Sequence, residues 1–162
     1  MREEDLVITE LDGGFTVEVS GRANFDYAVP LRALAEKIKP GCWLQFFMEN
    51  CETMDSTFMG VLTMLALKLR KQNSQIQMIN AGDNLVKLLR DLGVAKLFKF
   101  SSGTNCSVEN GSVVCHTKAT MLDTAETVLE AHKALVGADE SNAEKFNAVI
   151  DFAEQDVERL RK

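Results

Sequence analysis

Residues Trp43-Leu44-Gln45-Phe46-Phe47-Met48 form a nearly unbroken apolar run, interrupted only at Gln45. Pro40-Gly41 precedes the run and the polar stretch from Glu49 follows it. So short and so apolar a segment between breakers suits a central strand covered on both faces. The rest of the chain has to supply the layers that cover it.

Ahead of it, Phe15, Val17 and Val19 alternate with Thr16, Glu18 and Ser20, the period-two pattern of a half-buried strand. Asp12-Gly13-Gly14 separates these residues from Leu6 to Leu11, and glycine accepts the positive φ of a tight hairpin turn. The chain therefore opens with an antiparallel pair. Gly21 to Tyr27 reads as a loop, and Leu31, Leu34, Ala35 and Ile38 predict a helix over 28–38 that stops at Pro40-Gly41.

Behind the run, Glu49 to Asp55 reads as a polar loop. Phe58, Met59, Leu62, Leu65, Ala66 and Leu69 then make a helical stripe that begins after Ser56, with Lys68, Arg70 and Lys71 at its cation-favouring end. Ile76 to Ile79 is a further strand. Asp83 is placed to cap a helix carrying Leu85, Val86, Leu88, Leu89 and Leu92 and ending at Gly93, and an edge strand follows over 94–100. Strands alternating with helices make residues 1–101 an α/β domain with a mixed β-sheet and flanking helices.

From Ser101 the composition turns to Ser, Asn and Gly, so 102–117 reads as a linker, with Asn110-Gly111 placed for a small hairpin. Residues 118–162 predict a C-terminal α-helical hairpin. Its first helix carries Met121, Leu122, Ala125, Val128, Leu129, His132 and Leu135 behind a Thr120/Asp123 capping box and ends at Gly137. Its second starts at Ser141 with Glu144 three residues on, and carries Phe146, Val149, Ile150, Ala153, Val157 and Leu160. Those apolar faces have to bury against each other and against either the domain or a second copy in a homodimer.

A hydrophobic fraction of 46% supports a real core. The net charge of −6 argues against nucleic acid and anionic membranes as partners, because both reward a basic face. The run from Met59 to Leu69 is too short and too polar for membrane insertion, and MREEDLVITE has no apolar signal region. Cys42, Cys51, Cys106 and Cys115 have neither C-x-x-C nor zinc spacing, so they read as reduced thiols of a cytoplasmic protein, with no metal expected.

Asp55-Ser56-Thr57-Phe58-Met59-Gly60-Val61-Leu62 lies where the loop behind the central strand meets a helix start. Taken alone, Ser56 is an N-cap, which stabilises a helix by about 1 kcal/mol. With the strand leading to Gly21, the run Leu44–Met48, Asn80-Ala81, Leu92-Gly93-Val94 and Leu97-Phe98, this octapeptide resembles the STAS family, the bacterial anti-sigma-factor antagonists and the related domain of sulfate transporters. The resemblance covers about residues 6–101. It implies a STAS-like fold in which Ser56 is the phosphoacceptor of a motif Asp-Ser-Ser/Thr-Gly-Leu-Gly, Asp55 its upstream neighbour and Gly60 the second motif glycine. Phe58 replaces the first glycine, where its ring either packs as helix core or projects beside Ser56.

The function implied is that of an antagonist in a partner-switching pathway. Asp55, Ser56, Thr57, Phe58, Met59 and Gly60 bind a serine kinase that doubles as an anti-sigma factor; phosphorylation of Ser56 switches binding off and a phosphatase restores it. The competing readings are a scaffold subunit of a transport or signalling complex that is never phosphorylated, and a ligand sensor whose pocket the C-terminal hairpin completes. Catalysis has only Ser56 or Cys51 with His116 or His132 to draw on, and His132 lies on an apolar stripe that suits packing better than proton transfer, so no catalytic residue and no cofactor are expected.

Overall fold

The computed structural model describes residues 5–104, 111–114 and 118–162. Strands β1 (Asp5–Leu11) and β2 (Gly14–Ala23) form the antiparallel hairpin, turning at Gly13 with φ +85°. Gly14 is fixed by packing: an added Cβ would lie 2.2 Å from the Trp43 ring. Strands β3 (Trp43–Phe47), β5 (Ile76–Ile79) and β6 (Phe98–Ser101) run parallel to β2, and β7 (Ser112–Val113) pairs antiparallel with β1. The sheet order is β6-β5-β3-β2-β1-β7, with β4 (Cys51–Met54) joined to β2.

Helix α1 (Phe25–Leu34) starts three residues earlier than the apolar spacing predicts, because the Asn24 side chain accepts from the Asp26 N–H and caps it there. Helices α2 (Ser56–Lys71) and α3 (Asp83–Asp91) follow their strands. Gly82, not Asp83, is the N-cap of α3. The prediction of a central strand covered on both faces needs correction. Leu44 and Phe46 are buried, but Trp43, Gln45 and Phe47 on the other face are only half-buried, and Gln45 reaches across to Gln77 at 3.1 Å. The covered face carries Ile8, Val17, Phe46 and Met78.

Helices α4 (Met121–Ala138) and α5 (Ala143–Arg161) form the C-terminal hairpin. The Thr120/Asp123 capping box is present. The second box is not: Asp139 accepts from Ser141, a single turn spans Glu140–Asn142, and α5 begins only at Ala143. Helix α4 packs on α1 and α2, and α5 packs on α4, so the layers run sheet, α1 and α2, α4, α5. The expected Asn110-Gly111 turn, Cys106, Cys115 and His116 fall wholly or partly outside the described residues.

The turn of the C-terminal hairpin is tied to the core by one buried side chain. Asn142 Nδ2 donates to the Leu92 carbonyl at 2.8 Å and to the Leu135 carbonyl at 2.9 Å. Asn142→Ala strands both acceptors, so it is expected to cost about 2 kcal/mol, readable as a lower urea midpoint at unchanged slope.

Candidate functional site

Strand β4 delivers the Asp55-Ser56 junction, and its sequence hides it: Cys51 and Met54 face inward while Glu52 and Thr53 are exposed, so the segment resembled a polar loop. A bulge at Gly21, with φ +78°, lets β2 change partners. Its first part pairs with β3, and the residues from Gly21 pair with β4. The Asp55 N–H donates to Ala23 O at 2.9 Å, and Asn84 Nδ2 of α3 donates to Glu52 O at 2.8 Å. Both anchors hold the junction rigidly.

The N-cap of α2 is Asp55, not Ser56. An Asp55 carboxylate oxygen accepts from the Phe58 N–H at 2.8 Å, leaving Ser56 as the first helical residue with its hydroxyl uncommitted to capping. That hydroxyl meets His132 of α4, with Ser56 Oγ 2.8 Å from Nε2. His132 Nδ1 lies 2.7 Å from the Val128 carbonyl, which can only accept, so Nδ1 carries a proton. In the neutral imidazole Nε2 is therefore the acceptor, and Ser56 donates to it. His132 is 2% exposed, and its ring meets Phe146 edge-on at 5.0 Å between centroids.

Burial raises the Asp55 carboxyl above the ordinary carboxylate value, against the lowering effect of the Phe58 and Phe25 backbone N–H groups. Burial also lifts the Cys51 thiol to about 11, so it is protonated and a poor nucleophile.

Around the junction, Ser56 and Asp55 are half-buried, and Thr57, Phe58, Met59 and Gly60 are buried. Phe58 is fully inside the core, so its ring packs inward and does not project beside Ser56. Gly60 faces α4 at backbone distance: an added Cβ would lie 2.3 Å from the Ala131 carbonyl oxygen. The α2–α4 contact is therefore one of close helix approach between small residues. Ala131 and Leu135 join the core cluster from α4, and burying a leucine contributes about 1.5–3 kcal/mol. Arg32 of α1 bridges to Glu130 and, at 3.9 Å, to Glu126. These pairs are part-exposed and contribute little. Sequence spacing offered no way to join Ser56 to His132. Only the mix of an apolar-stripe histidine and a small residue on α2 hinted that the two helices meet.

Elsewhere Lys68 donates to the Ala35 carbonyl at the end of α1. Met54, Met59 and Met78 are buried in the core, and Met64 is half-buried against it. A groove between α1 and the start of α4 is lined by Pro30, Ala33, Val114, Ala119 and Asp123, so the C-terminal segment does complete a concavity, though away from Ser56. Among the described residues, no helix is long and apolar enough to cross a membrane, and no cluster of side chains is suited to a metal ion.

The anti-sigma factor antagonist SpoIIAA in its unphosphorylated form superposes with a TM-score of 0.51 at 14% identity, over 59% of this chain and 87% of that one. The chain has the STAS fold. A Thermotoga maritima protein provisionally described as an anti-sigma factor antagonist gives 0.48 at 10% identity, over 60% and 85%. The sequence matches no protein-family model and no curated protein. The superposition on SpoIIAA leaves about two fifths of this chain unmatched.

Asp55→Ala removes the cap of α2 and is expected to cost about 1 kcal/mol, whereas Asp55→Asn keeps an acceptor and most of that stability. The raised Asp55 value means that the folded state holds this proton more tightly than the unfolded chain. Its contribution to stability therefore falls as pH rises from near 3.8 through the folded value and is flat above it. Urea titrations between pH 3.5 and 7 are expected to show this component in the wild type and not in Asp55→Asn.

Proposed function

We propose that this chain is an anti-sigma-factor antagonist whose docking surface is the start of α2 and whose switch is phosphorylation of Ser56. One observation carries the reading: a serine hydroxyl at the first turn of a STAS helix, released from capping duty because Asp55 takes it. A phosphate at a helix N-terminus is favoured by the backbone N–H groups and the helix dipole. It adds about −1.5 to −2 charges beside Asp55, so a partner surface fitted to a neutral hydroxyl loses contact. The partners are a serine kinase that doubles as an anti-sigma factor, and a phosphatase, in the cytoplasm of a bacterium. Residues Asp55 to Gly60 form the contact, with the buried members acting by shaping α2.

The reading is of a protein that is bound, not of an enzyme. His132 is 2% exposed and meets Phe146 edge-on, so the Ser56–His132 pair gives a substrate little access to its base. The same closed pair favours one competing reading, a scaffold in which Ser56 is never modified.

Intact-mass analysis of the protein from its native cells separates the two. A single phosphoryl group localised to Ser56 under some growth condition is expected; its absence under all conditions supports the scaffold. With the partner in hand, Ser56→Asp is expected to weaken binding at least tenfold relative to Ser56→Ala. Equal and wild-type affinity for both variants would sink the switch.

A further inference from the structure

The site proposed above is covered by the chain's own C-terminal hairpin. Helix α4 lies on α2 with Ala131 against Gly60, and His132 holds the Ser56 hydroxyl. Ser56, Gly60 and Thr63 recur at helical spacing on one side of α2, and Gly60 and Thr63 are buried. Thr63 bonds back to the Met59 carbonyl at 2.8 Å, so this face is dry without needing a partner.

Phosphorylation removes the proton that Ser56 donates to His132, so the closed contact cannot persist unchanged. Nε2 of His132 sits 2.8 Å from Ser56 Oγ and takes one side of the hydroxyl, so an added phosphoryl group has to displace that hydrogen bond. His132 has little freedom to step aside, since Nδ1 is bonded to Val128 O and the ring is wedged against Phe146. The backbone contact at Gly60 keeps α4 from sliding.

We infer that the α4–α5 hairpin is an internal competitor for the Ser56 face: Ser56 is open to phosphorylation, and the α2 start to a partner, only when α4 leaves α2. The inference takes its site from the function proposed above and adds a closed state to it. By linkage, a phosphate that expels α4 is one whose attachment α4 opposes by the same factor. The partner then competes with α4 for one face, and the protein's affinity is set by how often the hairpin is open. Buried Ala131 and Leu135 of α4 and the Asn142 hydrogen bonds make the closed state the populated one.

Hydrogen–deuterium exchange of the full chain tests this without any kinase or partner. Phosphoserine is placed at position 56 by genetic encoding, and Gly60→Ala is prepared in parallel. The added methyl meets the Ala131 backbone, and alanine does not weaken α2 as a helix. In both proteins the amides of residues 125–135 are expected to exchange at least tenfold faster than in the wild type, while strands β3 and β5 keep their protection. Wild-type exchange of α4 in the phosphoserine protein would overturn the inference, because phosphate and closed hairpin would then coexist. Loss of protection in β3 and β5 together with α4 would overturn it too, because the hairpin would be inseparable from the core. Failure to find phosphate on Ser56 in cells sinks the switch and leaves this result standing, so the two claims fail separately.

Discussion

Helix α2 carries two burdens, and most of the architecture follows from them. Ten of its sixteen residues are buried, on more than one side. Leu62, Leu65 and Leu69 belong to the core beneath it, whereas Gly60 meets the backbone of α4 above. A helix buried nearly all round has no amphipathic face to orient it, so its position has to be set by its ends. At the N-terminal end that setting comes from the β4–β2 pairing, the Gly21 bulge and the Asp55 cap. At the other end Lys68 grips the last turn of α1. The site's rigidity is thus a by-product of how a central helix is seated.

Close approach explains why small residues gather at the α2–α4 contact. Ala131 can touch the α2 backbone only because Gly60 lacks a side chain, and at that separation Ser56 and His132 come within hydrogen-bonding reach. A larger residue at position 60 would hold the helices apart and leave both polar groups facing an unfilled gap. Gly93 is a second such place: with φ +72° it ends α3, and an added Cβ would lie 2.0 Å from an Asp139 carboxylate oxygen.

Much of this was legible in the chain. The opening hairpin, β3, β5, α2, α3 and both C-terminal helices follow from periodicity and turn chemistry, and the edge position of β6 is as expected. The misses have local causes. Strand β4 shows two exposed polar residues between its buried ends and pairs only with the tail of β2, so it lacks the alternation of a longer strand. Helix starts were misplaced wherever two cap-forming residues compete, as at Asp55 and Ser56 or Asp139 and Ser141, because composition does not say which side chain turns back to the backbone. The apolar stripe of α5 overstated its burial. Ala153 and Val157 are inside, but Phe152 is 71% exposed, since α5 packs against another helix instead of a sheet. The contact between Ser56 and His132 belongs to tertiary structure, and no spacing rule spans the 76 residues between them.

The order of the layers matches the order of synthesis. The Ser56 face is complete in the chain by Lys71, whereas the residues that cover it, Ala131 to Leu135, are made about sixty residues later. At about 5–20 residues per second, several seconds separate the two on the ribosome. A nascent chain therefore passes through a stage in which the sheet and α2 exist and their cover does not. Each molecule begins its life with the serine face bare of α4.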